Sequence, residues 1–330
     1  MIRIETLFKN CGWVVVFAML LAGTAARAGE ALPEAKPVPS VQAIPLPYHQ
    51  VSFQAYGKEL TRYHFGAELN RPFLYPVIGP AGWSLTRMGH PHDPQSHSHH
   101  NSVWISHNDV DGVSFWSDSG EGKIRHKRII RLDEDWEQAS IATENEWVTK
   151  EGKVLLNETR QVTAMLGDSY DWLVIIDLEL KAADKAVTLG KTPFGMIGVR
   201  MAKTIGVNDG GGRIRNSEGG VNEKEILWKR AKWVDYSGPV KDEENIEGIT
   251  LFDHPDNPGF PCYFHVRNDG WMGSSLTFAG PRKIEPGKPL RLRYGLFVHI
   301  DMARKSEIEG EWRRFTRLPK ARWADLSKKR

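Results

Sequence analysis

Apolar positions follow a period of two over most of the chain. Val51-Ser52-Phe53-Gln54-Ala55-Tyr56 alternates, Gly57-Lys58 supplies a turn, and residues 60–65 resume the alternation. That is the pattern of a hairpin with one face buried. Residues 139–149 and 154–165 repeat it around the turn sequence Lys150-Glu151-Gly152-Lys153. Residues 172–180 and 290–300 are longer apolar runs and predict buried strands. Residues 103–107 and 112–116 read as further strands carrying aromatics. Helical spacing is convincing only over residues 303–315. Many strands at short spacing, with Gly and Pro turns, predict an all-β chain. The expected form is a large antiparallel β-sandwich of supersandwich size with a short C-terminal helix.

The N-terminus departs from this pattern. Arg3 and Lys9 lie in a basic start, residues 12–23 are apolar, and Ala26-Arg27-Ala28 follows. These are the three parts of a cleavable secretory signal. The apolar run is shorter than the roughly 20 residues a membrane span needs. The expected organisation is a signal peptide over 1–28, a Pro/Ala-rich leader over 29–45, and a single β-sandwich domain over 46–330. Localisation is then periplasmic or extracellular, with no membrane span after cleavage. Cys262 is the one cysteine of the mature chain, so no internal disulfide is expected.

Charge narrows the partners. The full chain carries +3, and residues 1–28 hold three basic residues against Glu5, a net of +2. The mature protein is therefore near +1, which gives no argument for nucleic acid or anionic membranes, and neither is expected as a partner. A small-molecule or glycan partner is expected. The twelve tryptophans suit sugar stacking as well as core packing.

Residues 88–116 hold six of the twelve histidines. His90 and His92, like His97 and His99, have the H-x-H spacing that places both rings on one face of an extended strand. Those four are candidate ligands for a divalent transition metal. The same segment also suits a metal-free pocket in which His100 or His107 acts as acid or base, with Trp104 beside it. A third reading is an exposed loop, since Pro91 and Pro94 break regular structure.

Other polar groups are spread along the chain. Glu158 and Arg160 share a strand face, as a carboxylate catalyst with an orienting cation or as a solvated cross-strand pair. Whether Glu158 faces Glu144 or Asn145 depends on the turn. His265 and Arg267 also share a face and suit binding of a carboxylate or a hydroxyl, or a structural salt bridge. His254, in a polar turn, and His299, near the end of the last long strand, are further candidate substrate-binding residues. The run Asp209-Gly210-Gly211-Gly212-Arg213 lacks the Lys-Ser/Thr of a phosphate loop and reads as a flexible loop.

Several of these segments together resemble a bacterial family of unknown function labelled "methane oxygenase PmoA-like". They are residues 90–100, Ser102-Val103-Trp104, Val110-Asp111-Gly112 with Phe115-Trp116, Glu158-Thr159-Arg160, Gly198-Val199-Arg200-Met201, residues 233–238 and 253–258, and His265-Val266-Arg267. The pattern departs from the family at residues 268–273. The resemblance implies a β-sandwich related to galactose-mutarotase-like folds, accompanying sugar-processing enzymes. The functional expectation is an exported carbohydrate-active enzyme using His and Glu acid–base chemistry, with Arg160, Arg200 or Arg267 orienting substrate. The alternatives are a non-catalytic glycan-binding module, a metal-dependent oxidase or oxygenase, and a structural surface protein.

Overall fold

The computed structural model describes residues 37–326 except 94, 119–120 and 242–243. The signal sequence expected over residues 1–28 lies outside the described residues.

Alternating burial of Val41, Ala43, Val51, Phe53 and Tyr63 builds the first antiparallel run. It comprises β1 (Val41–Leu46), β2 (Gln50–Ala55), β3 (Lys58–His64) and β4 (Phe73–Val77). The leader expected to reach residue 45 therefore ends earlier, because β1 pairs along its whole length with β2. After β5 (Val103–His107) come four long strands. They are β6 (Gly122–Glu134), β7 (Gln138–Thr149), β8 (Val154–Leu166) and β9 (Trp172–Ala182).

Shorter elements follow: β10 (Val187–Leu189), β11 (Gly195–Arg200), α1 (Val207–Gly210), β12 (Arg213–Asn216), α2 (Asn222–Ile226) and β13 (Lys229–Arg230). The chain closes with β14 (Trp233–Pro239), β15 (Ile246–Asp253), β16 (Tyr263–Arg267), β17 (Trp271–Ser275), β18 (Arg282–Ile284) and β19 (Leu290–Ile300). Two helices end it, α3 (Lys305–Arg317) and α4 (Trp323–Leu326).

Two large sheets result. One has nine strands in the order β1-β2-β3-β4-β5-β11-β17-β16-β13, and the other eight in the order β12-β14-β15-β19-β9-β8-β7-β6. Pairing is antiparallel in both. One hydrophobic cluster takes Val103, Ile105 and Val199 from the first sheet and Val174, Ile176 and Leu296 from the second. The fold is thus the antiparallel β-sandwich that the alternation predicts.

The long apolar run of β9 has a separate cause. Val174 and Ile176 face the shared core, while Leu173 and Ile175 face the other way and meet Ile308 and Phe315 of α3. Each such buried side chain stabilises by roughly 1.5–3 kcal/mol. Residues 112–116, expected as a strand, form an irregular turn instead. Asp111 and Gly112 both have positive φ, 51° and 84°, which ends regular extension there.

The nine-stranded sheet has a second aromatic layer on its outer face. Phe73, Trp104, Trp116 and Trp271 form it. Period-two geometry places the functional side chains on the same face. Trp104 pairs with Gly198, Gly198 with Gly273, and Gly273 with His265, in one row across β5, β11, β17 and β16. In the next row Arg200 and Arg267 both pair with Trp271.

Candidate functional site

The outer face of β5, β11, β17 and β16 carries a cavity of about 500 Å³. His90, His97, His99, His100, Asn108, Trp116, Phe194, Arg200, His265, Arg267, Asp269 and Trp271 line it. The histidine segment folds over this face as a loop, not as the extended strand that would align each H-x-H pair. Gly89 N–H donates to the His100 carbonyl at 2.8 Å and closes the loop's base. Buried Arg71 clamps its far end, reaching Asn101 Oδ1 at 2.6 Å and the Trp116 carbonyl at 2.9 Å.

Imidazoles crowd together inside. Ring centroids lie 4.7 Å apart for His90 and His97, 4.9 Å for His97 and His100, and 4.6 Å for His99 and His100. His100 stacks on Trp271 at 5.4 Å, and His265 meets the same indole edge-on at 5.7 Å. Burial holds the His265 imidazole down at about 4, with Arg267 adding to the effect. Burial and the Arg71 guanidinium bring His99 to about 4. Burial depresses His100 further still, with the neighbouring His99 next in importance. These three rings are neutral at pH 7.

The ring nitrogens divide the histidines by role. His90 Nδ1 accepts the backbone N–H groups of His92 at 3.1 Å and Asp93 at 3.2 Å, while Nε2–H donates to Asp269 Oδ2 at 2.8 Å. Both its nitrogens are spent on holding the loop. His92 turns outward to Asp209 at 2.8 Å, and His97 Nδ1 lies 3.2 Å from Asp93. Among the described residues no three His, Cys, Asp or Glu side chains meet as metal ligands. The expected set of His90, His92, His97 and His99 is not assembled in this arrangement.

Several buried polar atoms without a hydrogen-bond partner among the described residues lie at the cavity: His100 Nδ1, His265 Nδ1, Trp271 Nε1, and Arg200 Nε and Nη2, with Trp104 Nε1 beside them; others lie elsewhere, among them Arg282 Nε and Arg293 Nε. A buried donor or acceptor left unmade costs about 1–3 kcal/mol, which a ligand in the cavity can offset for those that line it. Asp269 is fully engaged by contrast. Burial pushes its carboxyl up, but Arg200 and His90 outweigh that and hold it below the usual carboxylate range.

Other expected site residues lie elsewhere. His107 is buried below the cavity, accepting the Asp109 N–H at Nδ1 and bonding Thr277 through Nε2 at 2.9 Å. It is a structural residue with both nitrogens in use. Glu158 and Arg160 are also buried away from the cavity, 2.6 Å apart. The register places Glu158 opposite Asn145, which donates to it at 2.9 Å, and the Trp147 indole N–H donates at 2.7 Å. No oxygen of this carboxylate is left for a substrate. His254 packs edge-on against Phe315 of α3 at 5.4 Å, and His299 forms a buried pair with Asp235 at 2.9 Å. His299 lies in β19 of the other sheet, and His254 directly follows β15 of that sheet.

Sequence reading missed Asp269, Trp271, Asn108 and Phe194. The signal for the first two was the Asp269-Gly270-Trp271 turn between two strands, where Gly270 takes a φ of 96°.

Comparison with known families decides the relationship. A family of unknown function, DUF6807, matches residues 50–313. The chain belongs to that family. No curated protein matches this DUF6807 chain in sequence. Among solved structures it is similar to a GalM/aldose epimerase homologue from C. elegans, at 9% identity and a TM-score of 0.32 over 80% of this chain and 100% of that one. A galactose mutarotase related enzyme from Lactobacillus acidophilus shares 9% identity at a TM-score of 0.33, over 78% of this chain and 97% of that one. The GH36 alpha-galactosidase AgaA from Geobacillus stearothermophilus shares 11% identity at a TM-score of 0.33. That match covers 60% of this chain and 30% of the galactosidase.

Proposed function

We propose that the protein is an exported, sugar-directed enzyme working by imidazole acid–base chemistry in the cavity on β5, β11, β17 and β16. The observation that carries this is the contact of both His100 and His265 with Trp271, each with a buried Nδ1 that has no partner among the described residues. Neutral imidazoles accept or relay protons, and aromatic walls with a few convergent polar groups suit a sugar ring. In this reading His100 and His265 exchange protons with substrate and Arg200 anchors it. Asp269 is a positioning residue that orients Arg200 and fixes the His90 loop. Export rests on the signal-like N-terminus.

The lining favours proton transfer at a sugar carbon or hydroxyl over hydrolysis by a carboxylate pair. Glycoside hydrolysis ordinarily needs two carboxyl groups flanking the bond. Asp269 is the one carboxylate among the described lining residues, and both its oxygens are engaged. Two other clefts carry no such constellation. One of about 190 Å³ lies beside Asp177 and Arg293, and one of about 470 Å³ beside Asp171 and Glu307; neither has a histidine in its lining.

The test is NMR of monosaccharides and short glycans incubated with the purified protein in deuterated water. Proton exchange or isomerisation is expected, and His100→Ala and His265→Ala should each abolish it. Turnover unchanged in both variants would sink the assignment. Binding with no exchange and no product would instead identify a glycan-binding module.

A further inference from the structure

Arg200 and Asp269 are unequally satisfied by their contact. Asp269 Oδ1 accepts from Arg200 Nη1 at 2.9 Å and Oδ2 from His90 Nε2 at 2.8 Å. Arg200 commits that one nitrogen. Its Nε and Nη2 are buried and have no hydrogen-bond partner among the described residues. These two N–H groups form one edge of a planar guanidinium. Their fork matches the two oxygens of a carboxylate. Asp269 therefore balances the charge of Arg200 and holds it in place, while the buried fork edge is left without a partner among the described residues.

The charges around the cavity fit the same ligand. Its charged lining groups other than imidazoles are Arg200 and Arg267 against Asp269, which is two positive against one negative. Arg267 gives Nη1 to Glu223 at 2.7 Å and is half exposed, whereas Arg200 carries its unpartnered edge on a fully buried side chain. A lining with one net positive charge suits a monoanion better than a phosphate dianion.

We propose that the ligand is a sugar acid, a free hexuronate or a uronate unit of a glycan, whose carboxylate Arg200 binds through Nε and Nη2. This rests on the sugar-directed reading of the same cavity. A neutral sugar leaves the fork unmatched and forfeits charge-assisted hydrogen bonds. The anion has a second consequence. Close to His100 and His265, it favours their protonated forms and moves both imidazoles toward the range where they are effective bases.

The experiment is isothermal titration calorimetry of the purified full chain with six probes. They are D-glucuronate, D-galacturonate, D-glucose, D-galactose, glucose 6-phosphate and acetate. At least one uronate should bind about tenfold to a hundredfold more tightly than its neutral counterpart. It should also bind more tightly than glucose 6-phosphate and acetate. Arg200→Lys keeps the charge and removes the fork, so it should erase that preference. Neutral sugars binding as tightly as uronates would overturn the Arg200 assignment and leave the sugar reading standing. Acetate binding as tightly as glucuronate would keep the fork and overturn the sugar reading. Tighter binding of glucose 6-phosphate would show a phosphate site instead. Binding of neither uronate would overturn the proposal, with glucose and galactose then deciding whether the sugar reading survives. If Arg200→Lys does not fold, the wild-type comparison alone decides.

Discussion

Asp269 Oδ2 and His90 Nε2 lie 2.8 Å apart, joining the β16–β17 turn to the base of the histidine loop. The same carboxylate holds Arg200, whose side chain is fully buried. Asp269→Asn keeps the shape and removes the charge. Arg200 then loses its counter-ion and the loop its tie. Unfolding free energy should fall by about 1–3 kcal/mol, and residues 89–100 should become more susceptible to limited proteolysis. An unchanged melting temperature together with an unchanged cleavage pattern would refute this role.

Glu158 makes the opposite case. It accepts from Arg160, Asn145 and Trp147 inside the sandwich, and both it and Arg160 are buried. Glu158→Gln leaves a buried guanidinium without its partner charge, which costs about 3–5 kcal/mol. The expected result is a large loss in denaturant midpoint, with ligand affinity of the remaining folded protein unchanged. Loss of affinity at intact stability would return Glu158 to the site.

The sandwich was legible because alternation reports burial directly. The pairing of β2 with β3 and of β7 with β8 follows from the period-two pattern and the turn residues between them, and α3 begins two residues beyond the predicted start. The site was legible only in part, because residue type does not say which nitrogen or oxygen is already committed. His100, His265, Arg200 and Arg267 line one cavity. His107 and Glu158 carry the same chemistry but spend it on internal partners, a matter of long-range register. Asp269 and Trp271 escaped notice because a short turn sequence carries no sign that it faces a loop some 180 residues earlier.

Gly198 sets the depth of the cavity floor. A Cβ there would lie 2.6 Å from Trp271 Cη2 and 2.9 Å from Trp104 Cζ2. Neither ring can retreat into the packed layer without strain. Gly198→Ala should cost about 1–3 kcal/mol and alter the near-ultraviolet circular dichroism of the tryptophans. Gly280→Ala is the control, since nothing lies within 4 Å of its Cβ position. Equal spectra and stabilities for the two variants would show that the rings do not rest on Gly198.

Burial holds His107, His254 and His265 to about 4, below the ordinary 6.5. As pH falls, the unfolded chain takes up these protons first. Stability that is full above about 6.5 is therefore lost as pH drops toward about 4. Urea midpoints measured across that interval should decline steeply. His107→Asn should give a lower midpoint at pH 7 but a shallower acid slope. A slope identical to wild type would remove His107 from the acid response.

His299 responds in the other direction. Its Nε2 lies 2.9 Å from Asp235 Oδ1 and its Nδ1 lies 3.1 Å from the Asp301 carbonyl, so both ring nitrogens face acceptors. Only the imidazolium donates from both. Burial opposes that charge, but Asp235 outweighs it and raises the His299 pKa above the ordinary 6.5. Gly248 leaves room for the ring, since a Cβ there would lie 2.7 Å from His299 Cε1. For Asp235, burial works upward, yet His299 and then Arg215 bring the carboxyl below its ordinary 3.8. The sign for His299 follows from its raised folded value. Its contribution is complete below about 6.5 and is lost as pH rises through the raised folded value. The Asp235 contribution is complete above about 3.8 and is lost as pH falls through its lowered value. His299→Gln should therefore lower the melting temperature most at mildly acidic pH and least at alkaline pH, converging on wild type there. A difference that stays constant across the alkaline limb would mean that His299 is neutral in the folded protein.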